Sequence, residues 1–161
     1  MKLVSIVRGI KFAAVAAAAL AIVGCAKHAD PNALAANGAA PGSQQDFVVN
    51  VGDRVFFQTD STDLTPQARE TLDKQARWLN QYNRYYFTIE GHADERGTRE
   101  YNLALGARRA QTVRDYLVSR SVSAQRMHTI SYGKERPVAL CNDESCWSQN
   151  RRAVTVLNQS S

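Results

Sequence analysis

The sequence predicts an α+β domain, a mixed sheet with helices packed on one face, behind an export signal and a tether. Between Phe47 and Leu157 apolar residues recur with period two in several short stretches and with helical period in two long ones. The stretches follow the order strand, helix, strand, helix, strand, short helix, strand, which implies a mixed rather than an all-parallel sheet. The chain has 161 residues, room for one domain of ordinary size, and shows no internal repeat.

The N-terminus reads as export machinery. Lys2, Arg8 and Lys11 form a positive segment, and Phe12 to Val23 is apolar without interruption, too short to span a bilayer comfortably as a permanent helix. The run ends Ile22-Val23-Gly24-Cys25, which resembles a bacterial lipoprotein signal sequence. That resemblance implies cleavage after residue 24, diacylglycerol on the Cys25 thiol, and, with Ala26 rather than Asp next, sorting to the outer membrane. Several acyl chains make a stable anchor where one is marginal, since each buried methylene contributes about 0.8 kcal/mol.

Loss of residues 1–24 takes the formal charge of +5 down by three, to +2. So small a charge leaves no electrostatic footprint for nucleic acid. Residues 25–45 then comprise the lipidated cysteine and a segment rich in Ala, Gly, Pro and Asn with no sustained apolar period. This reads as a flexible tether with a reach of about 25 Å. The domain is placed at 46–161.

Within the domain, Phe47, Val49 and Val51 alternate, Gly52-Asp53 breaks the run, and Val55-Phe56-Phe57 resumes it, predicting a short strand that leads into the first main one. Thr65 and Pro66 are helix-start signals, and Ala68, Leu72, Ala76, Leu79 and Tyr82 fall on one helical face. A second strand contains Phe87, Ile89 and Gly91. The next helix runs from about Thr98 to Arg120, with Leu103, Ala107, Ala110, Val113 and Leu117 as its stripe and Asn102, Gly106 and Arg109 at the stripe's edge. Gly106 costs a helix about 1 kcal/mol relative to alanine, which suggests close approach of a strand or a ligand. Met127 to Tyr132 is a third strand, residues 144–149 a short helical turn, and Arg152 to Leu157 the last strand.

Cys141 and Cys146 remain as an even pair in an exported domain, where an oxidising compartment favours a disulfide. The alternative is a metal site, for which this segment offers only Asp143 and Glu144 as further ligands.

The stretch from Glu90 to Arg109 holds the best binding residues. A turn between strand and helix can bring Asp94 and Arg109 against one small ligand, and a carboxylate beside a guanidinium suits a zwitterion. His92 reads as a satisfied structural histidine, and Arg96 and Arg108 as solvated. A hydrolase would require something else. His92, Asp94, Glu95 and His128 are zinc-type ligands, but neither HExxH nor GxSxG occurs, so no catalytic residue, metal or cofactor is expected.

The motifs VFFQTDSTDL at 55–64, TIEGHADERGTREYNLALGARRA at 88–110, SYGKERP at 131–137 and QNRRAV at 149–154 resemble, in order, those of the peptidoglycan-associated lipoprotein family of the Tol-Pal system, with its OmpA-like C-terminal domain. The resemblance implies an OmpA-like fold and non-covalent binding of peptidoglycan through meso-diaminopimelate of the stem peptide. Asp94 would accept the ligand's ammonium and Arg109 would pair with its carboxylate. Asp60, Gly97, Thr98 and Asn102 would line the pocket, with Asn150 and Arg151 in support. Thr59 stands where an aromatic commonly precedes the aspartate. The family also implies a second partner, the periplasmic β-propeller TolB, competing for the same face.

Overall fold

The computed structural model describes residues 39–158. The signal segment, Cys25 and the tether as far as residue 38 lie outside the described residues. The folded chain begins earlier than the sequence suggested. Gly42 is buried against Tyr82, and its carbonyl accepts from Arg84 Nη2 at 2.6 Å and Tyr85 Oη at 2.7 Å. The folded unit therefore includes residues before 46, the start expected from the sequence.

Helix α1 is a single turn, Gln44–Asp46, capped by the Ser43 hydroxyl, and it continues as a π-helical turn, Phe47–Gly52. The strand expected at Phe47, Val49 and Val51 is absent. The cause is Asp46, whose carboxylate collects Gly42 N–H, Asn50 Nδ2 and Trp78 Nε1, each at 2.8 Å, and so winds the backbone around itself. Phe47 drops onto the Trp78 ring, 4.9 Å between centroids, while Val49 is left in solvent. Local hydrogen bonding outweighs a short alternating pattern that had no partner strand.

Strand β1 is Arg54–Phe56, β2 Tyr86–His92, β3 Met127–Gly133 and β4 Arg152–Asn158. The sheet order is β1-β4-β2-β3. The last strand is inserted between β1 and β2, antiparallel to both, and β2 runs parallel to β3. Helix α2, Pro66–Gln81, starts at the Thr65 hydroxyl cap and buries Ala68, Leu72, Ala76 and Leu79, with Tyr82 half-buried beyond its end. Helix α3, Arg99–Ser119, makes the crossover from β2 to β3, and α4, Glu144–Asn150, precedes the last strand. The core lies on the face of the sheet that carries Val55, Phe87, Ile89, Met127 and Ala153.

Helix α3 is rotated relative to the stripe read from sequence. Leu103 and Ala107 are exposed, whereas Asn102, Gly106 and Arg109 are buried with Leu105, Ala110, Val113 and Leu117. Two glycines set this rotation. A Cβ on Gly91 would lie 1.8 Å from the Gly106 carbonyl oxygen, so backbone meets backbone where α3 crosses β2. The polar edge of the helix thereby faces inward at its N-terminal end, where the site forms.

Candidate functional site

Three segments meet beside the N-terminus of α3. The loop after β1 contributes Thr59 and Asp60, with Asp60 held at φ 54°. The loop after β2 contributes Asp94, Arg96 and Gly97, and α3 itself contributes Tyr101, Asn102, Leu105 and Arg109. They enclose an open cleft of about 280 Å³, large enough for the end of an amino-acid side chain rather than a whole cofactor.

Arg109 is the floor of the cleft. It is fully buried, and its guanidinium donates to three carbonyl oxygens: Ser61 at 2.9 Å, His92 at 2.8 Å and Gln58 at 3.1 Å. The sequence suggested an arm free to grip a carboxylate. In the structure it is first a brace that ties the β1 loop to the end of β2. Three of its five N–H groups are spent, leaving two for a ligand. Among the described residues no carboxylate lies within 4.0 Å of it. Burial lowers its pKa to about 10, with Asp94 opposing and Arg151 reinforcing the shift, so it stays charged at neutral pH.

Asp94 is buried and anionic. Burial raises its pKa, but hydrogen bonds from Arg96 and Arg151 outweigh that and hold it below the ordinary aspartate value. Arg96 is exposed, as the sequence suggested, but it is not free: its guanidinium bonds Asp94 at 2.7 and 3.2 Å and lies 4.1 Å above the Trp147 ring. Arg151 reaches Asp94 at 3.3 Å, donates to Phe57 O at 3.1 Å and pairs with Glu144. The structure thus puts Arg151 directly against Asp94. Asn150 works further away, bonding Val138 N–H, Ala139 N–H and Ala139 O and so fixing the segment before α4.

The other expected wall residues divide. Asp60 accepts from the Tyr101 hydroxyl at the rim. Gly97, at φ 87°, makes a turn that a side chain would strain, and Asn102 donates to Arg96 O at 2.7 Å, which shapes the loop from inside. Thr98 is not a wall of the cleft: its hydroxyl caps α3 by accepting from Tyr101 N–H at 3.2 Å. Sequence reasoning missed Tyr101, Leu105, Arg96 and Lys134. Lys134 braces the loop from outside, donating to Glu95 O and Gly97 O at 3.1 and 2.7 Å. A lysine beside the Gly133 turn was the available signal, but no partner for it could be read from a one-dimensional pattern.

His92 also departs from expectation. It is 2% exposed, yet neither ring nitrogen has a hydrogen-bond partner, and Glu90 is 3.6 Å away. Its ring lies beside Tyr132, 5.6 Å between centroids. The backbone carbonyl of His92, not its imidazole, serves the site, through Arg109. Among the described residues no group of three or more His, Cys, Asp or Glu is placed to hold a metal ion. Cys141 and Cys146 are joined as a disulfide, with Cα atoms 5.5 Å apart, which ties the segment before α4 to that helix.

Comparison with known proteins agrees with this architecture. The OmpA family model matches residues 56–152. The chain is 67% identical over 144 residues to a peptidoglycan-associated lipoprotein of Rhizobium meliloti, covering 86% of this chain and 82% of that one. It is 45% identical over 157 residues to a protein of the same name from Pseudomonas aeruginosa, covering 88% and 93%. Among solved structures, the peptidoglycan-associated lipoprotein of Burkholderia pseudomallei superposes with a TM-score of 0.64 at 43% identity, over 66% of this chain and 90% of that one. The C-terminal domain of Helicobacter pylori MotB reaches a TM-score of 0.63 at 19% identity, over 68% and 86%, a likeness of fold alone. The β-α-β-α-β-α-β order, the inserted last strand and these matches together establish that the chain belongs to the OmpA family, within its peptidoglycan-associated lipoproteins.

Proposed function

We propose that this protein is a non-catalytic lipoprotein of the cell envelope that binds peptidoglycan, taking the meso-diaminopimelate of a stem peptide into the cleft beside α3. One observation carries the reading: a buried guanidinium, Arg109, lacks a carboxylate partner among the described residues yet shares a small cleft with the carboxylate of Asp94. A buried charge is stable when paired, and a ligand carboxylate supplies the missing partner while its ammonium meets Asp94. Diaminopimelate presents both groups on one carbon at the free end of its side chain. The names of the relatives point to the same polymer.

On this reading, lipid on Cys25 holds the chain in the outer membrane with the domain in the periplasm. The segment up to about residue 39 spans the gap, and the domain holds the wall as part of a Tol-Pal system, supporting envelope integrity and constriction at division. TolB is the expected protein partner, on a surface overlapping the cleft.

Co-sedimentation with purified sacculi tests the central claim. The full chain in detergent should pellet, and Asp94→Ala and Arg109→Met variants of confirmed fold should stay in solution. Failure of the wild type to pellet would overturn the wall-binding reading. A stem tripeptide in excess should also displace TolB, and a ternary complex of undiminished affinity would refute the overlap of the two surfaces.

A further inference from the structure

We infer that Arg96 is an intramolecular stand-in for the ligand's ammonium, a latch on Asp94 that any ligand must displace. The inference rests on the cleft being the binding site. A carboxylate has about four lone-pair positions on its two oxygens, and in Asp94 all are taken. Oδ1 accepts from Arg96 N–H and Arg96 Nε, each at 3.2 Å, and Oδ2 accepts from Arg96 Nη2 at 2.7 Å and Arg151 Nη1 at 3.3 Å. An incoming ammonium finds no free acceptor until one donor leaves.

The four donors are unequal. The Arg96 N–H belongs to the turn, and Arg151 is 4% exposed and held by Phe57 O and Glu144. The Arg96 side chain is 40% exposed, and among the described residues its only other polar contact is Thr59 Oγ1 at 3.5 Å, at the edge of bonding distance. It alone can swing out, and its departure clears one position on each oxygen. The Trp147 ring 4.1 Å below the guanidinium gives it a face to slide along while it remains charged and half-solvated. Trp147 is itself oriented by donating from Nε1 to Glu95 Oε1 at 3.1 Å.

The consequence is selectivity. A bare cation exchanges one ion pair for another of similar strength and gains little. A ligand that brings a carboxylate to Arg109 together with its ammonium gains a contact that the latch cannot offer. Arg96 therefore raises the threshold against simple amines and leaves the zwitterion as the ligand that opens the site.

Isothermal titration of the full chain in detergent with the tripeptide L-Ala–D-γ-Glu–meso-diaminopimelate tests this, comparing wild type, Arg96→Met and Arg96→Lys at matched melting temperature. Methionine still packs on Trp147 but donates nothing. Arg96→Met should bind about three- to tenfold more tightly than wild type, the range set by a half-exposed charge-assisted pair, with Arg96→Lys between them. In the wild type, the Arg96 Nε–H resonance should shift when tripeptide saturates the protein. Unchanged or weaker binding by Arg96→Met, or an Nε–H signal indifferent to bound tripeptide, would overturn the latch while leaving the binding site in place. Binding by neither wild type nor Arg96→Met would overturn the site and the latch together.

Discussion

Replacing Gly91 by alanine puts a methyl carbon 1.8 Å from the carbonyl oxygen of Gly106, 2.6 Å from its carbon and 3.2 Å from the Ala110 side chain. Carbon and carbonyl oxygen come no closer than about 3.3 Å in ordinary contacts, so α3 must retreat from β2 by roughly 1.5 Å. The obstacle is backbone, so no rotamer change relieves it. Overpacking alone costs about 1–3 kcal/mol, and lifting α3 also loosens Ala110, Val113 and Leu117, which are buried on the same face. We expect a loss of about 3 kcal/mol or more from a domain whose whole stability is on the order of 5–15 kcal/mol. A melt followed by circular dichroism should show the midpoint fall by about 10 °C or more. Gly106→Ala should fall less: its Cβ meets the Ser131 hydroxyl at 2.4 Å and Gly91 O at 2.8 Å, and alanine restores about 1 kcal/mol of helix propensity. A Gly91→Ala melt within about 2 °C of wild type, or the reverse order of the two variants, would refute the argument that this crossing sets the position of α3.

Four further outcomes are expected. His92 is held down to about 4 by burial, with Arg152, Arg136 and Arg54 adding to the effect; an unfolded imidazole takes its proton near 6.5. Stability from the neutral ring is therefore complete above about pH 6.5 and lost as pH falls toward 4, about 3 kcal/mol in full, and urea midpoints of His92→Phe should be flatter across that window. Asp94 has the opposite chemistry but the same slope: its native pKa lies below the ordinary value, so its contribution is present above about pH 4 and lost below it, a dependence that Asp94→Asn should remove. Arg151→Met removes one of the four donors to Asp94 and leaves the Phe57 carbonyl unpaired; it should cost about 1–3 kcal/mol, read as a lower urea midpoint and as weaker pelleting with sacculi by the folded fraction. Reduction of the Cys141–Cys146 bridge should cost about 2 kcal/mol on the loop-entropy estimate, seen as faster exchange of the Val138 and Ala139 amides that Asn150 holds.

The strand and helix order was legible because both periods are long enough to be distinct, and α2 and α3 carry start signals that the structure uses, Thr65 with Pro66 and Thr98. What was not legible depends on partners remote in sequence. The turn at Phe47–Gly52 was misread because Asp46 winds it through Gly42 and Asn50, each four residues away, and only the third donor, Trp78, 32 residues off, shows why the turn outlasts the alternating pattern. The α3 stripe was misread because hydropathy ranks Leu103 above Gly106, whereas the crossing at Gly91 needs the residue with no side chain. Asp94 and Arg109 were visible as a pair, since opposite charges flanking a turn are a one-dimensional feature. Arg96 looked solvated because nothing in its neighbourhood of sequence shows Trp147 beneath it.

The charges around the cleft also constrain how firmly it can hold a ligand. The lining of the cleft sets Arg96 and Arg109 against Asp60 and Asp94, two cations against two anions, so the site carries no formal net charge. On the proposed binding mode a zwitterion adds no net charge, and its ammonium replaces a guanidinium that was already paired. The gain per site is therefore the difference between two ion pairs plus the new contact to Arg109, a modest quantity. On the proposed function, a polymer that repeats the ligand, met by many copies anchored in one membrane, turns modest single contacts into a strong attachment by raising the effective concentration of the next one. On the proposed binding mode each contact opens on its own: as a stem peptide leaves, Arg96 returns to Asp94 beside Arg151, and the buried carboxylate keeps its cations. The proposed function therefore predicts that a wall cut and extended during growth is released and regripped one site at a time.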